Sequence, residues 1–131
     1  MALIPTLSIK DSTTFSDEIN FSVTDSLTVT APAQSLSTAI VTTTGGNHTI
    51  ITAATGIRYL FVRHTGLTGA DATTTSTARL DVEDEDNNTL VALSTGEFAF
   101  FPCSVAAASK AIQLQSSSGN IKVEYAYWTK G

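Results

Sequence analysis

The densest group of side chains that could carry chemistry is one acidic run, DVEDEDNN, in the second half of the chain. Carboxylate and amide oxygens at a turn suit Ca²⁺, and Asp84, Asp86 and Asn88 have the spacing that begins an EF-hand loop. The rest of that loop is missing, because Thr89 stands at the glycine position and Thr95 at the position of the bidentate glutamate. We therefore predict a solvated hairpin tip without a metal, with a weak divalent-cation site as the alternative.

The other reactive residue types do not form a catalytic pattern. His48 and His64 fall in different predicted strands without a zinc-site spacing, so we expect hydrogen-bonded residues at a sheet edge or rim. The sequence has no Gly-x-Ser-x-Gly elbow, phosphate-binding loop or dinucleotide fingerprint. Cys103 has no basic neighbour in sequence, which favours a buried apolar thiol over a nucleophile. We predict no enzymatic activity, no metal and no cofactor.

Charge and hydropathy exclude several classes of protein. The 131 residues include 12 Asp+Glu and 7 Lys+Arg, and the net charge of −5 argues against binding to DNA or RNA phosphates. With 42% hydrophobic residues the chain is too apolar for disorder, and it lacks the run of about twenty apolar residues that a membrane helix needs. The N-terminal segment lacks a basic region, so we expect no export signal.

The elements that would position these residues are short strands. The sequence holds 22 Thr and 14 Ser, and apolar positions alternate in short runs with no 3.6-residue period. About nine such runs predict an all-β fold, as a two-sheet antiparallel sandwich or alternatively an eight-stranded barrel. Residues 57–64 are almost continuously apolar, which indicates a central strand covered on both faces.

Turn residues mark the predicted boundaries between strands. The Gly-Gly pair at 45–46 predicts a hairpin, and the acidic run predicts a second one. Pro102 is expected to end the strand that precedes it. Residues 65–76 contain almost no large side chains, so we predict a long surface loop with a role in contacts.

Eight aromatic residues fall in three predicted strands of the second half, and we expect most of them in the core. They are Tyr59, Phe61, Phe98, Phe100, Phe101, Tyr125, Tyr127 and Trp128. Because side chains alternate along a strand, Tyr125 and Tyr127 share one face and Trp128 points to the other. An aromatic residue on an outer face marks a subunit contact or a platform for a sugar, and we favour the subunit contact.

The N-terminal residues 1–17 are predicted to form an extended arm, and residues 18–131 a single β-sandwich domain. The apolar side chains of the arm are expected to pack against their own domain or against a neighbouring copy. The candidate interface residues are Leu3, Ile4, Leu7, Ile9 and Trp128.

Four stretches of the second half resemble small virion structural proteins of tailed bacteriophages, especially phages of aquatic bacteria. The stretches are Tyr59–Gly66, Leu90–Pro102, Ile112–Gln115 and Val123–Trp128. They contain a strand followed by glycine, a Gly-Glu-Phe triplet and a closing Val-Glu-Tyr. The resemblance implies a jelly-roll-like β-sandwich that assembles with itself and coats the capsid or joins the tail. It implies no catalytic residue.

The function that we predict is that of a non-enzymatic capsid decoration, or cement, protein that stabilises the head lattice. Its partners would be further copies of itself, as a homotrimer, and the major capsid protein, in a virion made in the host cytoplasm. It would bind neither nucleic acid nor membrane. The alternatives are a tail or fibre-base structural protein and a carbohydrate-binding adhesion module that uses Trp128 and residues 65–76.

Overall fold

The computed structural model describes residues 6–9, 19–22, 27–31, 36–43, 47–53, 57–105 and 110–130, and these form strands and no helix. The strands are β1 (Thr6–Ile9), β2 (Ile19–Ser22), β3 (Leu27–Ala31), β4 (Ser37–Val41), β5 (His48–Ile51), β6 (Ile57–His64), β7 (Leu80–Asp84), β8 (Thr89–Leu93), β9 (Phe98–Ser104), β10 (Ile112–Ser116) and β11 (Ile121–Lys130). The all-β prediction is confirmed. The described residues hold two more strands than predicted, because β1 lies in the predicted arm and two strands, β2 and β3, lie within 19–31.

Two antiparallel sheets form the body of the molecule as a sandwich. Sheet I has the order β3–β11–β6–β9, and β4 pairs with the same edge of β11 as β3. Sheet II has the order β5–β10–β7–β8. The predicted two-sheet antiparallel sandwich is therefore confirmed.

The strands from β4 to β11 pair as a nested series. Strand β4 pairs with β11, β5 with β10, β6 with β9, and β7 with β8. Successive pairs alternate between sheet I and sheet II. A long antiparallel hairpin rolled up in this way is a jelly roll, which confirms the jelly-roll-like fold.

The core lies between the inner faces of the two sheets and consists of aliphatic side chains together with His64. Alternate residues of β6 and β11 supply the sheet I side, and β7 and β10 supply the sheet II side. The largest fully buried side chains are Leu60, Leu80, Leu114, Ile121, His64, Val41, Val62, Val82, Val105 and Val123.

Two turn predictions are wrong and one is confirmed. The Gly-Gly pair at 45–46 lies outside the described residues, but the strands on either side do not form a hairpin, because β4 pairs in sheet I and β5 in sheet II. Pro102 does not end β9 but lies within it; β9 pairs only with β6 among the described strands, and an edge strand tolerates a missing N–H. The acidic run does form the β7–β8 hairpin, with Asn87 at φ 64° in its turn.

Residues 65–76, predicted as a long surface loop, form a compact segment with internal hydrogen bonds. Leu67 and Thr75 form an antiparallel bridge. At the tip, the hydroxyl and N–H groups of Thr74 and Thr73 donate to Asp71 and hold the pKa of its carboxyl well below the usual range. The tip of the segment is thus a turn whose N–H and hydroxyl groups are capped by the carboxylate of Asp71.

The same segment is attached to the outer face of sheet I near β4 and β11. The N–H of Lys122 donates to the carbonyl of Leu67 at 2.7 Å, and the Thr65 hydroxyl donates to the carbonyl of Lys122 at 2.6 Å. Gly69 has φ +87°, and a Cβ there would lie 2.8 Å from Cγ1 of Ile40. Glycine is needed at this position because the backbone lies directly on the Ile40 side chain.

Strands β1 and β2 form a separate two-stranded antiparallel sheet. The register pairs Thr6 with Ser22 and Ile9 with Ile19. Neither strand is hydrogen-bonded to sheet I or sheet II within the described residues. The first strand of the predicted arm therefore pairs with a segment of its own chain.

Candidate functional site

The outer face of sheet I carries five aromatic side chains, which we call the aromatic face. In β6, Leu60 and Val62 point into the core, so Tyr59 and Phe61 point outwards. The residues that lie opposite these two in β9 and β11 point the same way. The aromatic face consists of Tyr59, Phe61, Phe98, Phe100 and Trp128.

The rings of the aromatic face contact one another across three strands. The ring centroids are 5.8 Å apart for Tyr59 and Phe100 and 6.1 Å apart for Phe61 and Phe98, with interplanar angles of 30° and 33°. Trp128 on β11 reaches over β6 and meets Phe100 edge-on, with centroids 6.0 Å apart and an angle of 63°. These are favourable geometries for aromatic pairs, and they join the rings into two groups, Tyr59–Phe100–Trp128 and Phe61–Phe98. The two groups are neighbours on the sheet, because Phe61 lies opposite Phe100.

The aromatic face covers the sheet beneath it but is itself partly exposed. Ala126 lies opposite Phe61 on this face and is only 2% exposed. Phe98, on edge strand β9, is 65% exposed. A phenylalanine with most of its surface in water loses the hydrophobic free energy that burial would supply. The aromatic face therefore has the character of a contact surface.

Charged residues lie at one end of the aromatic face. Arg63 and Glu124 are directly opposite each other on β6 and β11, and Arg63 Nη1 is 3.4 Å from Glu124 Oε2. Both side chains are partly exposed, so the pair contributes little to stability. Lys122 follows on β11, where the 65–76 segment begins to cover the sheet. The aromatic rings thus end where the chain covers its own sheet.

The prediction that most aromatic residues lie in the core is wrong. Of the eight, Phe101, Tyr125 and Tyr127 pack against the core, and the other five form the aromatic face. The predicted opposition of Trp128 to Tyr125 and Tyr127 is confirmed. Strand β6 is central in sheet I, but among the described segments no second layer covers its outer face fully. The alternation in Phe-Ala-Phe-Phe of β9, with aromatics on both faces, was the sequence signal for this surface.

The outer face of sheet II carries polar side chains that hydrogen-bond to one another, and we call it the polar face. Asn47 Nδ2 donates to Glu83 Oε2 at 3.2 Å and to Asn87 Oδ1 at 2.6 Å. Gln113 Nε2 donates to the same Asn87 oxygen at 2.9 Å. Glu83 is 4% exposed, and its burial, with the nearby charge of Asp81, raises the pKa of its carboxyl above the usual value.

A second pair completes the polar face at its other end. The guanidinium of Arg79 donates to both carboxylate oxygens of Asp81, with distances of 2.8 and 2.9 Å. This bidentate geometry is the strong form of an Arg–carboxylate pair, and Asp81 is buried beneath it. The polar groups on this face therefore have partners within the same chain.

The acidic turn does not assemble a metal site. The carboxylate of Asp84 accepts the N–H groups of Asp86 and Asn88 at 3.0 and 2.9 Å and also the side-chain amide of Asn88. The Asn88 amide and these N–H groups lower the pKa of Asp84. Nowhere in the part of the chain that the structure describes do three Asp, Glu, His or Cys side chains converge as metal ligands.

His64 is buried in the core and not at a sheet edge or rim as predicted. The Gly66 N–H donates to Nδ1 at 3.0 Å, and Nε2 lies 2.9 Å from the carbonyl oxygen of Ala78, to which it donates. Both ring nitrogens therefore have partners, and the proton of the neutral ring is on Nε2. His64 joins β6 to the segment before β7 and contributes structure. His48 on β5 is exposed.

Cys103 lies in a cleft between the edge strands β8 and β9. The cleft has a volume of about 660 Å³ and is lined mainly by apolar residues, among them Leu90, Val91 and Phe101. Burial raises the pKa of the Cys103 thiol to about 11. The thiol is therefore protonated at neutral pH and is a poor nucleophile, as the sequence indicated.

The described candidate interface residues of the arm and Trp128 belong to different sheets. Leu3 and Ile4 lie outside the described residues. Leu7 and Ile9 are in β1, where they pair with Phe21 and Ile19 of β2. Trp128 lies on the aromatic face with four neighbours that the sequence reasoning did not include as interface residues.

Comparison with known proteins identifies no relative of the chain. No protein-family model, no curated protein and no solved structure matches the chain. Among the described residues there is also no helix of the length and hydropathy needed to cross a membrane.

Proposed function

We propose that the chain is a non-enzymatic structural protein of a phage particle, a capsid decoration protein that binds the assembled head lattice. The observation that carries the proposal is the aromatic face, with Phe98 65% exposed on its edge strand. The other four rings of this face are partly buried. An aromatic cluster with a mostly exposed member supports a site at which proteins pack against other proteins. The partners proposed are further copies of the chain, as a homotrimer, and the major capsid protein.

The architecture supports the same proposal. Jelly rolls occur in viral capsid proteins as well as in lectins and cupins. The stretches that resemble virion structural proteins fall on β6, on β8 to β11 and on the turns next to them. These strands carry the whole aromatic face, so the resemblance and the surface involve the same residues.

The engagement of the reactive side chains also supports a structural role. His64 uses both ring nitrogens within the core, and Asp84 accepts the donors of its own turn. The thiol of Cys103 is held in its protonated form by burial. Groups already engaged in this way are not poised for acid–base or nucleophilic work.

A decoration protein would act as a clamp. A subunit that bridges neighbouring capsid proteins binds the lattice and not the free coat protein, so by mass action it stabilises the lattice as its sites fill. The aromatic face carries few charges. Because apolar contacts are screened little by salt, attachment should be almost independent of moderate ionic strength.

The test compares particles assembled with and without this chain. Particles that lack it should form but release their DNA at a lower temperature and after milder osmotic shock. Adding back the purified protein should restore both properties, and the Phe98→Asp variant should restore them less. Equal thermal and osmotic resistance with and without the protein would contradict the clamp and favour attachment at the tail.

A glycan-binding assay separates the remaining alternative. Aromatic rings also stack on sugars, so an adhesion module would bind glycans and lose that binding in Trp128→Ala. A decoration protein should bind none, and Trp128→Ala should affect only its attachment to particles. Specific glycan binding that depends on Trp128 would replace the proposed function by carbohydrate recognition.

A further inference from the structure

We infer that His64 holds residues 65–76 on sheet I while its ring is neutral and releases them when the ring is protonated. The inference goes beyond the proposed function and does not depend on it. It rests on the hydrogen bonds of one fully buried ring and on the segments that these bonds connect. We call this pH-sensitive arrangement the His64 latch.

The ring of His64 connects the end of β6 to both ends of the 65–76 segment. At the start of the segment, the N–H of Gly66 donates to Nδ1 at 3.0 Å, and just after its end Nε2 donates to the carbonyl of Ala78 at 2.9 Å. The two ends also bond to each other, because the N–H of Ser76 donates to the carbonyl of Gly66 at 2.9 Å. The ring thus lies at the base of the segment, where the chain leaves β6 and returns towards β7.

The two hydrogen bonds of the ring fit its neutral form and not its protonated form. A backbone N–H can only donate and a backbone carbonyl can only accept, so Gly66 and Ala78 need one acceptor and one donor from the ring. The neutral ring with its proton on Nε2 supplies both. A protonated ring carries an N–H on each nitrogen, so Nδ1–H would face the N–H of Gly66. That hydrogen bond is then lost, and a buried cation is left with a donor facing a donor.

The backbone around Gly66 leaves little room for a local adjustment. Gly66 is buried with φ +84°, and a Cβ there would lie 3.0 Å from Cγ2 of Thr95. The hydroxyl of Thr95 also donates to the carbonyl of Ser76 at 2.8 Å. The base of the segment is therefore packed against the turn at 94–97, and we expect protonation of His64 to displace that base as a whole.

The charged groups of the two strands next to His64 face away from its ring. Arg63 and Glu124 pair with each other on the outer face of sheet I. Val123 lies opposite His64 and is fully buried in the core, so Lys122 and Glu124 on either side of it point outwards. The sheet thus supplies the ring with no carboxylate within the described strands.

The charged groups of the other adjoining segments are engaged elsewhere. In the turn at 94–97, the exposed carboxylate of Glu97 accepts a backbone N–H of its own turn at 2.7 Å. Before β7, Arg79 donates to both carboxylate oxygens of Asp81 on the polar face. Asp71, at the tip of the segment, accepts the donors of its own turn. None of these groups offsets the burial of a charge on His64.

The attachments of the segment to β11 flank the bond to the ring. The Thr65 hydroxyl donates to the carbonyl of Lys122, and the N–H of Lys122 donates to the carbonyl of Leu67. Thr65 and Leu67 are the two neighbours of Gly66, so displacement of Gly66 strains both of these bonds. Release of the segment then exposes the part of Ile40 that Gly69 contacts.

Acid shifts the equilibrium towards the released segment. A solvent-exposed imidazole binds a proton below about pH 6.5, whereas the closed arrangement opposes that proton. The open state therefore binds more protons, so the closed state is favoured at neutral pH and loses stability as pH falls. Because only the open state takes up the proton, the opening constant should rise by about 25-fold between pH 7 and pH 5.

Residue-resolved amide hydrogen exchange of the full chain at the two pH values, corrected for the intrinsic rates, measures this opening. Protection of the Gly66 and Ser76 amides should fall by about 10- to 25-fold at pH 5. His64→Gln should lose this pH dependence, since its amide offers one donor and one acceptor and does not titrate. His48→Gln is the matched control, because His48 is exposed on β5, and it should keep the pH dependence of the wild type.

The strand β10 serves as the internal reference for global unfolding. The Gly66 and Ser76 amides should be less protected than those of β10 at both pH values, because local opening requires less free energy than unfolding of the domain. Equal protection of the two regions would overturn the latch, since the segment would then open only when the whole domain unfolds. Protection that does not depend on pH in the wild type, or depends on it equally in His64→Gln, would overturn it as well.

A second measurement needs no variant and therefore does not depend on whether His64→Gln folds. The nitrogen chemical shifts of both imidazoles are followed by NMR in the wild type from pH 7 to pH 5. The protonated ring of His64 should appear only together with shifted signals of Gly66, whereas protonation of His48 should leave Gly66 unchanged. A protonated His64 in a chain whose Gly66 and Ser76 signals stay in place would contradict the latch.

Discussion

The outer faces of sheets I and II differ in how the outward side chains are accommodated. On the polar face of sheet II, Glu83 and Gln113 are buried and bonded through Asn47 and Asn87, so each group has a partner in its own chain. On the aromatic face of sheet I the rings contact one another, but Phe98 remains mostly in water. One face is complete in a single copy, and the other presents surface that a partner can bury.

The difference follows from the strands that supply each face. Strands β7 and β10 alternate apolar and polar residues, so an apolar inner face comes with a polar outer face. Strands β6 and β9 are apolar on both sides, and sheet I has no second layer over its aromatic part within the described residues. Apolar residues on both faces of a strand therefore indicate either a covering layer or a partner.

The largest expected effect is a difference in the loss of stability between a substitution on the inner side of sheet I and one on its outer side. Leu60→Ala should lower the free energy of unfolding by about 2–5 kcal/mol, because Leu60 is fully buried and the truncation leaves a cavity. Phe98→Ala should lower it by less than about 1 kcal/mol, since it loses mainly the contact with Phe61. Urea unfolding at a fixed protein concentration measures both. Equal losses would mean that the Phe98 ring is part of the folded core.

A smaller effect is expected on the polar face. Gln113→Ala removes the donor to Asn87 Oδ1 and should lower the free energy of unfolding by about 1–2 kcal/mol. Gln115→Ala, at a more exposed position of the same strand, should cost less than about 0.5 kcal/mol. Thermal unfolding of the two variants checks the contrast. Indistinguishable midpoints would show that the hydrogen bonds of the polar face add nothing to stability.

The smallest predicted effect is a pH dependence of the stability that arises from Glu83 on the polar face. Burial raises the pKa of Glu83 above its ordinary value of 4.5, so its contribution to stability is present below that pH and is lost as pH rises through the folded-state pKa. Glu83→Gln should therefore be more stable than the wild type at pH 7, and this difference should vanish near pH 4.

The control for this prediction is Glu97→Gln, because Glu97 is exposed and its carboxylate accepts the N–H of Ser94. It should show no gain at pH 7. Midpoints of thermal unfolding measured across this pH range provide the comparison. A Glu83→Gln variant that is less stable than the wild type at pH 7 would mean that the charge of Glu83 is stabilised by Asn47 more than it is penalised by burial.

Several features of the fold could be predicted from local pattern. The apolar pattern placed β6 at 57–64, as an almost continuous apolar run, and β8 at 89–93, both with the bounds that the structure has. It also placed Trp128 on the face opposite to Tyr125 and Tyr127, because side chains alternate along any strand. The hairpin of the acidic run followed from its turn residues. Each of these depends on neighbours in sequence alone.

Other features depend on which strands pair with each other, and the local sequence pattern does not determine this pairing. The Gly-Gly pair at 45–46 reads as a hairpin, but β4 and β5 lie in different sheets. Pro102 reads as a strand end, but it is tolerated because β9 is an edge strand. The sequence predicts His64 at an edge or rim, but it lies in the core, where the carbonyl of Ala78 and the N–H of Gly66 are its hydrogen-bond partners.

The sequence by itself determined the class of fold, the period-two strands and which residues of one strand share a side, because these follow from covalent geometry and side-chain type. Only the tertiary structure decided which outward residues stand together. Register and strand order brought Tyr59, Phe100 and Trp128 from three separate strands into one surface. Pairing between distant strands depends on the packing of the whole core, so no stretch of sequence encodes the aromatic face alone.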